Sequence, residues 1–308
     1  MKYIFVNLKR FDVPKSMGGI CQFENPADWV ENVIKESVKN GLGKLDDMLV
    51  TYLMPEALIL KTFDELSSYK EDETATVKIG SQGVFRENVR KGGNFGAFTT
   101  NLPAAAAKNM GCSWSIIGHS EERSDKLGIL GKFDPAILKE LSGLKKAKAC
   151  IDRMINEEVL CALESKIDVL MCVGETSEEK GEGDFETQKS RICEVLSSQL
   201  EIGLRGVKDY LPERKIVIGY EPIWAIGPGK TPPGEEYISF VSALIKDIVK
   251  SKFGFDVPVV YGGGLKEENA GMIAKIDTID GGLVALTKFT GDIAFEPEGL
   301  RNIIEKYK

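Results

Sequence analysis

Short uninterrupted apolar runs alternate along the chain with longer stretches whose apolar residues recur at helical spacing. The runs are 3–6 (YIFV), 48–53 (MLVTYL), 77–80 (VKIG), 114–118 (WSIIG), 168–173 (DVLMCV), 216–220 (IVIGY), 258–261 (PVVY) and 282–286 (GLVAL). Runs of this length without polar alternation are what parallel strands covered on both faces require. Helical patterns fill the gaps at 27–40, 55–66, 102–110, 135–164, 184–204, 234–252, 266–275 and 297–307. The first opens with Asn25-Pro26, an N-cap followed by a proline whose missing N–H costs nothing there. Eight strands alternating with eight helical segments predict an α/β fold, a (β/α)8 barrel; pattern alone leaves a doubly wound sheet as the alternative.

No linker divides the chain, so residues 1–308 are expected to form one domain with enlarged loops. The Pro/Gly-rich stretch 227–234 (GPGKTPPG) directly follows a strand, which makes it a loop. The loops 8–24 and 81–98 are long, and long loops in compact domains are usually functional.

A net charge of −7 and a pI near 5.2 argue against a nucleic-acid partner. They leave room for a small anionic substrate, because a pocket's local field can oppose the overall sign. No apolar run is long enough to span a bilayer and the start lacks a secretory h-region, so no membrane partner and a cytoplasmic location are expected. Six cysteines without a Cys-x-x-Cys pair, beside a single histidine, make a zinc site or a disulfide scaffold improbable.

Active sites in (β/α)8 barrels lie at the carboxyl ends of the strands. Those ends carry Asn7 and Lys9 after the first run, His119 and Glu121 after the fourth, Cys172 and Glu175 in and after the fifth, and Glu221 after the sixth. A carboxylate, an imidazole and an ammonium converging on one rim suit proton transfer next to a carbonyl. Each alone has a bland reading: a lone histidine is often structural, and Glu221 or Lys9 could be a solvated charge. Three such ends on one rim give the pattern its weight.

The same residues carry a resemblance. Ile116-Ile117-Gly118-His119-Ser120-Glu121, Cys172-Val173-Gly174-Glu175-Thr176 and Tyr220-Glu221-Pro222-Ile223-Trp224-Ala225-Ile226-Gly227 are similar to signature segments of the triosephosphate isomerase family. Asn7-x-Lys9, Gly96-Ala97-Phe98-Thr99, Gly229-Lys230-Thr231 and Tyr261-Gly262-Gly263 follow that family in order. The resemblance implies a TIM barrel that isomerises a small phosphosugar with no metal or organic cofactor.

It also implies roles. Glu221 would be the base, and His119 a neutral imidazole polarising the carbonyl, as in the family's reference enzyme, where a helix N-terminus keeps it uncharged. Lys9 would balance the enediolate and Asn7 would hydrogen-bond substrate oxygens. Glu121 would hold Lys9, and Cys172 would pack beside the site, a nucleophilic cysteine being the rival reading. Residues 222–231 would be a lid that shields the intermediate from water, with Gly227 lending a backbone N–H to the phosphate.

The departures fall at the phosphate end. The family's serine after the strand-seven glycines is replaced in Gly262-Gly263-Gly264-Leu265, and its glycine pair after strand eight is Ala285-Leu286. The phosphate contacts are therefore expected at Gly227, Gly264, Ala285 and Leu286, with Leu286 adding bulk. The family's Ser-Glu-Arg-Arg reads Ser120-Glu121-Glu122-Arg123, and its glutamate after Gly-Ala-Phe-Thr is Asn101, so an ion pair of the family is changed at both ends. Loop 10–24 is longer than usual and extra chain lies near 124–150, ending in the basic Lys145-Lys146-Ala147-Lys148, read as a solvated helix. Thr99 is retained in a loop that forms much of the family's dimer interface, which implies a homodimer. These features leave three readings: triosephosphate isomerase chemistry, the same chemistry on a four-carbon ketose phosphate such as erythrulose phosphate, and an idle barrel used for binding.

Overall fold

Each of the eight apolar runs becomes a strand, and each strand is hydrogen-bonded to its sequence neighbours. The computed structural model describes residues 1–227 and 229–307. In chain order, the first half comprises β1 (Lys2–Asn7), α1 (Pro26–Lys39), β2 (Met48–Met54), α2 (Ile59–Leu66), α3 (Glu71–Thr74), β3 (Val77–Ser81), α4 (Ala104–Asn109), β4 (Trp114–Ile117), α5 (Ser120–Phe133) and α6 (Leu141–Glu164). The second comprises β5 (Asp168–Val173), α7 (Ser177–Lys180), α8 (Phe185–Gly203), β6 (Ile216–Tyr220), α9 (Glu235–Phe253), β7 (Val259–Tyr261), α10 (Glu267–Ile273), β8 (Gly281–Val284) and α11 (Pro297–Glu305). The strands form a closed parallel barrel in sequence order, with β8 returning to β1 through the pairs Tyr3 with Gly281 and Val6 with Val284. This is the TIM barrel the pattern predicts.

Continuous apolar runs follow from burial on both sides of the sheet. Inward-facing Phe5, Trp114, Leu170, Val217 and Val260 pack together inside the barrel, with the rings of Phe5 and Trp114 edge to face at 5.0 Å. The alternate positions, among them Ile4, Val6, Val169 and Ile218, pack outward against the helices. A doubly wound sheet would leave two strand edges open; closure removes them.

The boundaries shift for physical reasons. The expected strand 114–118 ends at Ile117 because Gly118 turns into the left-handed region at φ 77°. The run 282–286 ends at Val284, placing Ala285 and Leu286 beyond the strand. The expected helix 135–164 is a 3-10 turn at Pro135–Leu138 followed by α6. Helix α5 carries no clean apolar stripe: Gly128 and Gly131 interrupt it, and Ile129 and Phe133 point to solvent. The extra chain near 124–150 is therefore the body of α5, the 3-10 turn and the start of α6. In the basic run, Lys145 pairs with Glu194 of α8 and Lys148 with Glu179 of α7, while Ala147 is buried. Among the described residues no helix is long and apolar enough to cross a membrane.

The β1–β8 seam depends on a backbone approach that only glycine permits. Gly281 sits at φ 147°, and a Cβ there would lie 1.8 Å from the carbonyl oxygen of Tyr3. Gly281→Ala is expected to destabilise the barrel by about 3 kcal/mol, the upper range for overpacking, read as a lower midpoint of urea unfolding; an unchanged midpoint would contradict this account of the seam.

Candidate active site

The carboxyl ends of β1, β4, β5 and β6 bring the sequence-predicted polar residues to one rim. β6 ends at Tyr220, and the next residue, Glu221, is 3% exposed. Its peptide is clamped between neighbours: its N–H donates to the Val173 carbonyl at 2.8 Å, and Gly262 N–H donates to the Tyr220 carbonyl at 2.8 Å. Gly174 lets this happen, because a Cβ on it would fall 1.8 Å from the Glu221 carbonyl oxygen. Gln199 of α8 then fixes Gly174 from both sides, accepting from its N–H and donating to its carbonyl, each at 2.9 Å.

The side chains of Glu221 and His119 share one feature, the first turn of α5. Backbone N–H groups at a helix start lack partners within the helix. Ser120 N–H donates to Glu221 Oε2 at 3.0 Å, and Ser120 Oγ donates to Oε1 at 3.1 Å. Glu121 N–H donates to His119 Nδ1 at 3.2 Å. A ring nitrogen that accepts cannot carry a proton, so the imidazole proton resides on Nε2, which lies 3.2 Å from Glu221 Oε1. The first turn of α5 thus holds both side chains through its free N–H groups.

Lys9 adopts a left-handed backbone at φ 43° just past β1. Its N–H donates to Asn7 Oδ1 at 3.1 Å, and Gln82 Nε2 donates to its carbonyl at 2.9 Å. The ammonium donates to Glu121 Oε1 at 2.5 Å. Partial burial works to raise the Glu121 carboxyl, but the hydrogen bond and charge of Lys9 outweigh it and hold it below the usual range. Cys172 is fully buried beside Glu221, and burial followed by that carboxylate's charge pushes its thiol well up. A thiol so placed is a poor nucleophile, so the rival reading of Cys172 loses its physical basis.

Glu175, one residue past Gly174, is completely buried. Tyr220 Oη donates to its Oε1 at 3.0 Å, Trp224 Nε1 at 2.8 Å and Tyr237 Oη at 2.8 Å. Burial raises its pKa despite these donors, and Oε2 has no partner. Trp224 lies in the 3-10 turn Ile223–Ala225 that opens the expected lid, and Lys180 Nζ stands 4.0 Å from its ring centroid. The lid's first turn is therefore pinned, whereas Gly227, Gly229 and Lys230 are exposed. Pro228, which the expected lid includes, lies outside the described residues.

The expected phosphate contacts follow the ends of β7 and β8. Gly264 is exposed at φ 83°, and the Gly262–Gly264 turn meets both lid stems: a Cβ on Gly263 would be 2.5 Å from Pro222 Cγ, and one on Gly264 3.9 Å from Pro232 Cγ. Ala285 and Leu286 are half-buried, and the chain beyond them folds back on itself. Lys288 N–H and Ala294 N–H exchange bonds at 3.0 and 3.2 Å, and Thr287 Oγ1 ties Glu296 at both its N–H and carbonyl. Leu286 thus sits at the base of a small hairpin held to loop 10–24 by Lys15 and Asp292 at 2.6 Å.

Several residues of this rim escape a reading of the sequence. Gln82 and Gln199 act through contacts across 73 and 25 positions, and nothing local marks them; Ser120 lies in a marked segment, but its hold on Glu221 across 101 positions is not readable there. Trp224, Tyr220 and Tyr237 read as ordinary aromatics until the fold gathers them on one carboxylate.

The rim of this α/β barrel gathers a buried carboxylate, an imidazole and an ammonium. A sequence profile of triosephosphate isomerase matches residues 27–296. The chain is 36% identical over 220 residues to the triosephosphate isomerase of Chloroherpeton thalassium, covering 69% of this chain and 71% of that protein. It is 33% identical over 283 residues to that of Clostridium tetani, covering 88% and 93%. The crystal structure of triosephosphate isomerase from Bartonella henselae superposes with a TM-score of 0.65 at 21% identity, covering 99% of this chain and 98% of that one. The chain belongs to the triosephosphate isomerase family, and it is an isomerase.

Burial of Cys172 is testable without substrate. In the native protein at pH 8, N-ethylmaleimide is expected to leave Cys172 unmodified while half-buried Cys150 and Cys193 react, with Cys172 labelled only after unfolding. Peptide mass spectrometry reads the pattern; native labelling of Cys172 at the rate of Cys150 would contradict it.

Proposed function

We propose that the chain interconverts an aldose and a ketose of a small phosphosugar, glyceraldehyde 3-phosphate and dihydroxyacetone phosphate, through an enediolate. The observation that carries this reading is the pairing of Glu221 Oε1 with the protonated Nε2 of His119 at 3.2 Å, on the rim that also holds Lys9. Glu221 takes a proton from the carbon beside the carbonyl, and the electron pair moves onto the carbonyl oxygen. His119 Nε2–H donates to that oxygen and passes the hydroxyl proton between the two oxygens. Glu221 returns its proton to the former carbonyl carbon, so no external oxidant or reductant is needed.

Glu221 is parked on Ser120, and substrate must draw it away before it can act. The Ser120 hydroxyl and N–H hold the carboxylate in place until then. The Lys9 ammonium, oriented by Glu121, stabilises the negative charge developing on the enediolate and the charge of the phosphate. Backbone N–H groups near Gly227, Gly264, Ala285 and Leu286 receive the phosphate when the lid closes.

One observation favours a second reading. The chain departs from the family at Ala285-Leu286 and forms the hairpin Lys288–Ala294 beyond them, at the end where the fourth carbon of a ketose phosphate such as erythrulose phosphate would have to be accommodated. The reading also includes a homodimer: the tip of the loop after β3 stands clear of the barrel with Phe95 90% exposed, a surface that suits a second copy.

Initial rates on three- and four-carbon phosphosugars, side by side, separate the two substrate readings. Glu221→Gln is expected to lower kcat by about a thousandfold on the preferred substrate, within the range for loss of a general base, with the fold intact by circular dichroism. Retained isomerisation in that variant would remove Glu221 as the base.

A further inference from the structure

Beneath the His119 turn lies a cluster of charged side chains that the proton-transfer scheme does not use. Gly118 N–H donates to Glu122 Oε2 at 2.6 Å, and Arg123 Nε donates to the Gly118 carbonyl at 2.8 Å. The peptide groups on both sides of Gly118, whose φ is 77°, are therefore held by consecutive residues of α5. Arg123 continues to Asp152 of α6 at 2.5 Å and to the Cys172 carbonyl at the end of β5 at 3.1 Å. Glu122 continues to Lys126, one turn along α5, and Lys126 reaches Glu158 of α6 at 2.9 Å.

With Arg123 paired to Asp152, the cluster leaves two carboxyl groups, Glu122 and Glu158, for the one ammonium of Lys126. Glu158 is 5% exposed, and it and Glu122 take the same Lys126 ammonium as partner. Two carboxylates cannot both ionise cheaply in such a place, and one proton shared between them leaves the group neutral with Lys126.

We infer that Glu122, with Lys126 and Glu158 behind it, is a positioning residue that fixes the Gly118 peptide and through it the orientation of His119. The inference rests on the isomerase reading for its kinetic consequence and on geometry alone for its effect on the ring. The residue before Glu122 holds Lys9 and the one after it reaches β5, so a single turn of α5 ties together three strand ends.

The proton state follows from burial first and from the Glu122 hydrogen bond and charge second, which together push the Glu158 carboxyl up to about 9 while Glu122 is held below the usual range. From α5, Glu122 and Lys126 face Glu158. On its own helix Cys161 lies a turn beyond and Asp152 is neutralised by Arg123. Burial and then Glu164 push the Cys161 thiol up to about 11, with Arg90 of the loop after β3 opposing and Glu158 adding a smaller push. β4 contributes no titratable side chain. Raising the pH through about 9 should remove the shared proton, leave a buried net negative charge and loosen the hold on Gly118.

His119 is the only histidine in the chain, so its ring nitrogens can be followed by 15N NMR without assignment. In the wild type, the ring signals and kcat are expected to change together near pH 9. Glu158→Gln mimics the protonated partner and should keep neutral-pH values while abolishing the alkaline change. Glu122→Ala should shift the ring signals and lower kcat by about tenfold or more with KM within about twofold, and Glu122→Gln, which can still accept from Gly118, should recover most of both. An alkaline change that persists in Glu158→Gln, or wild-type ring signals in Glu122→Ala, would overturn the inference. If Glu122→Ala does not fold, the near-isosteric Glu122→Gln and Glu158→Gln pair still decides it. Silence on every phosphosugar with ring signals that respond as described would sink the isomerase reading and leave the positioning role standing.

Discussion

Unpaired N–H groups at the start of α5 are the constraint around which this site is organised. A helix must begin somewhere, and its first amides must find acceptors. Here two of them are given to Glu221 and to His119. That one choice holds the carboxylate and the imidazole side by side, with Nδ1 of the ring accepting from the helix and Nε2 facing Glu221.

The rest of the structure serves to bring α5 to the end of β6. β4 and β6 are not neighbours in the barrel, and β5 lies between them. Gly174 at the end of β5 lets the Glu221 peptide pass close by, and Arg123 ties the Gly118 turn to the same strand. Glycines here act as clearance, and charged side chains act as struts between strand ends that the sheet itself does not join.

Much of this was legible in the sequence, and the reason is that barrel strands must be apolar on both faces. Their runs stand out, and the polar residues that follow them are thereby marked as rim residues, which is how Asn7, Lys9, His119 and Glu221 are found. Helix α5 was legible only as part of the extra chain near 124–150 read as a solvated helix, because a helix interrupted by Gly128 and Gly131 has no clean apolar stripe to fix its bounds. Nor were Gln82, Gln199 and the aromatic donors to Glu175, whose meaning lies only in contacts across the fold. The hairpin after β8 was visible as lost glycines at 285 and 286 but not as a structure, since its ties run through backbone amides and Thr287.

A proton moved by the Glu221 carboxylate between two carbons of the proposed substrate would pass through an enediolate stage at which it can exchange with solvent. Running the isomerisation of dihydroxyacetone phosphate, or of the preferred four-carbon ketose phosphate, in deuterium oxide tests it directly by mass spectrometry and proton NMR. The account predicts deuterium on the carbon beside the carbonyl of the product, because the carboxyl proton exchanges with solvent during the lifetime of the intermediate. Efficient turnover with no deuterium incorporated would point to a direct hydride shift and contradict the role given to Glu221.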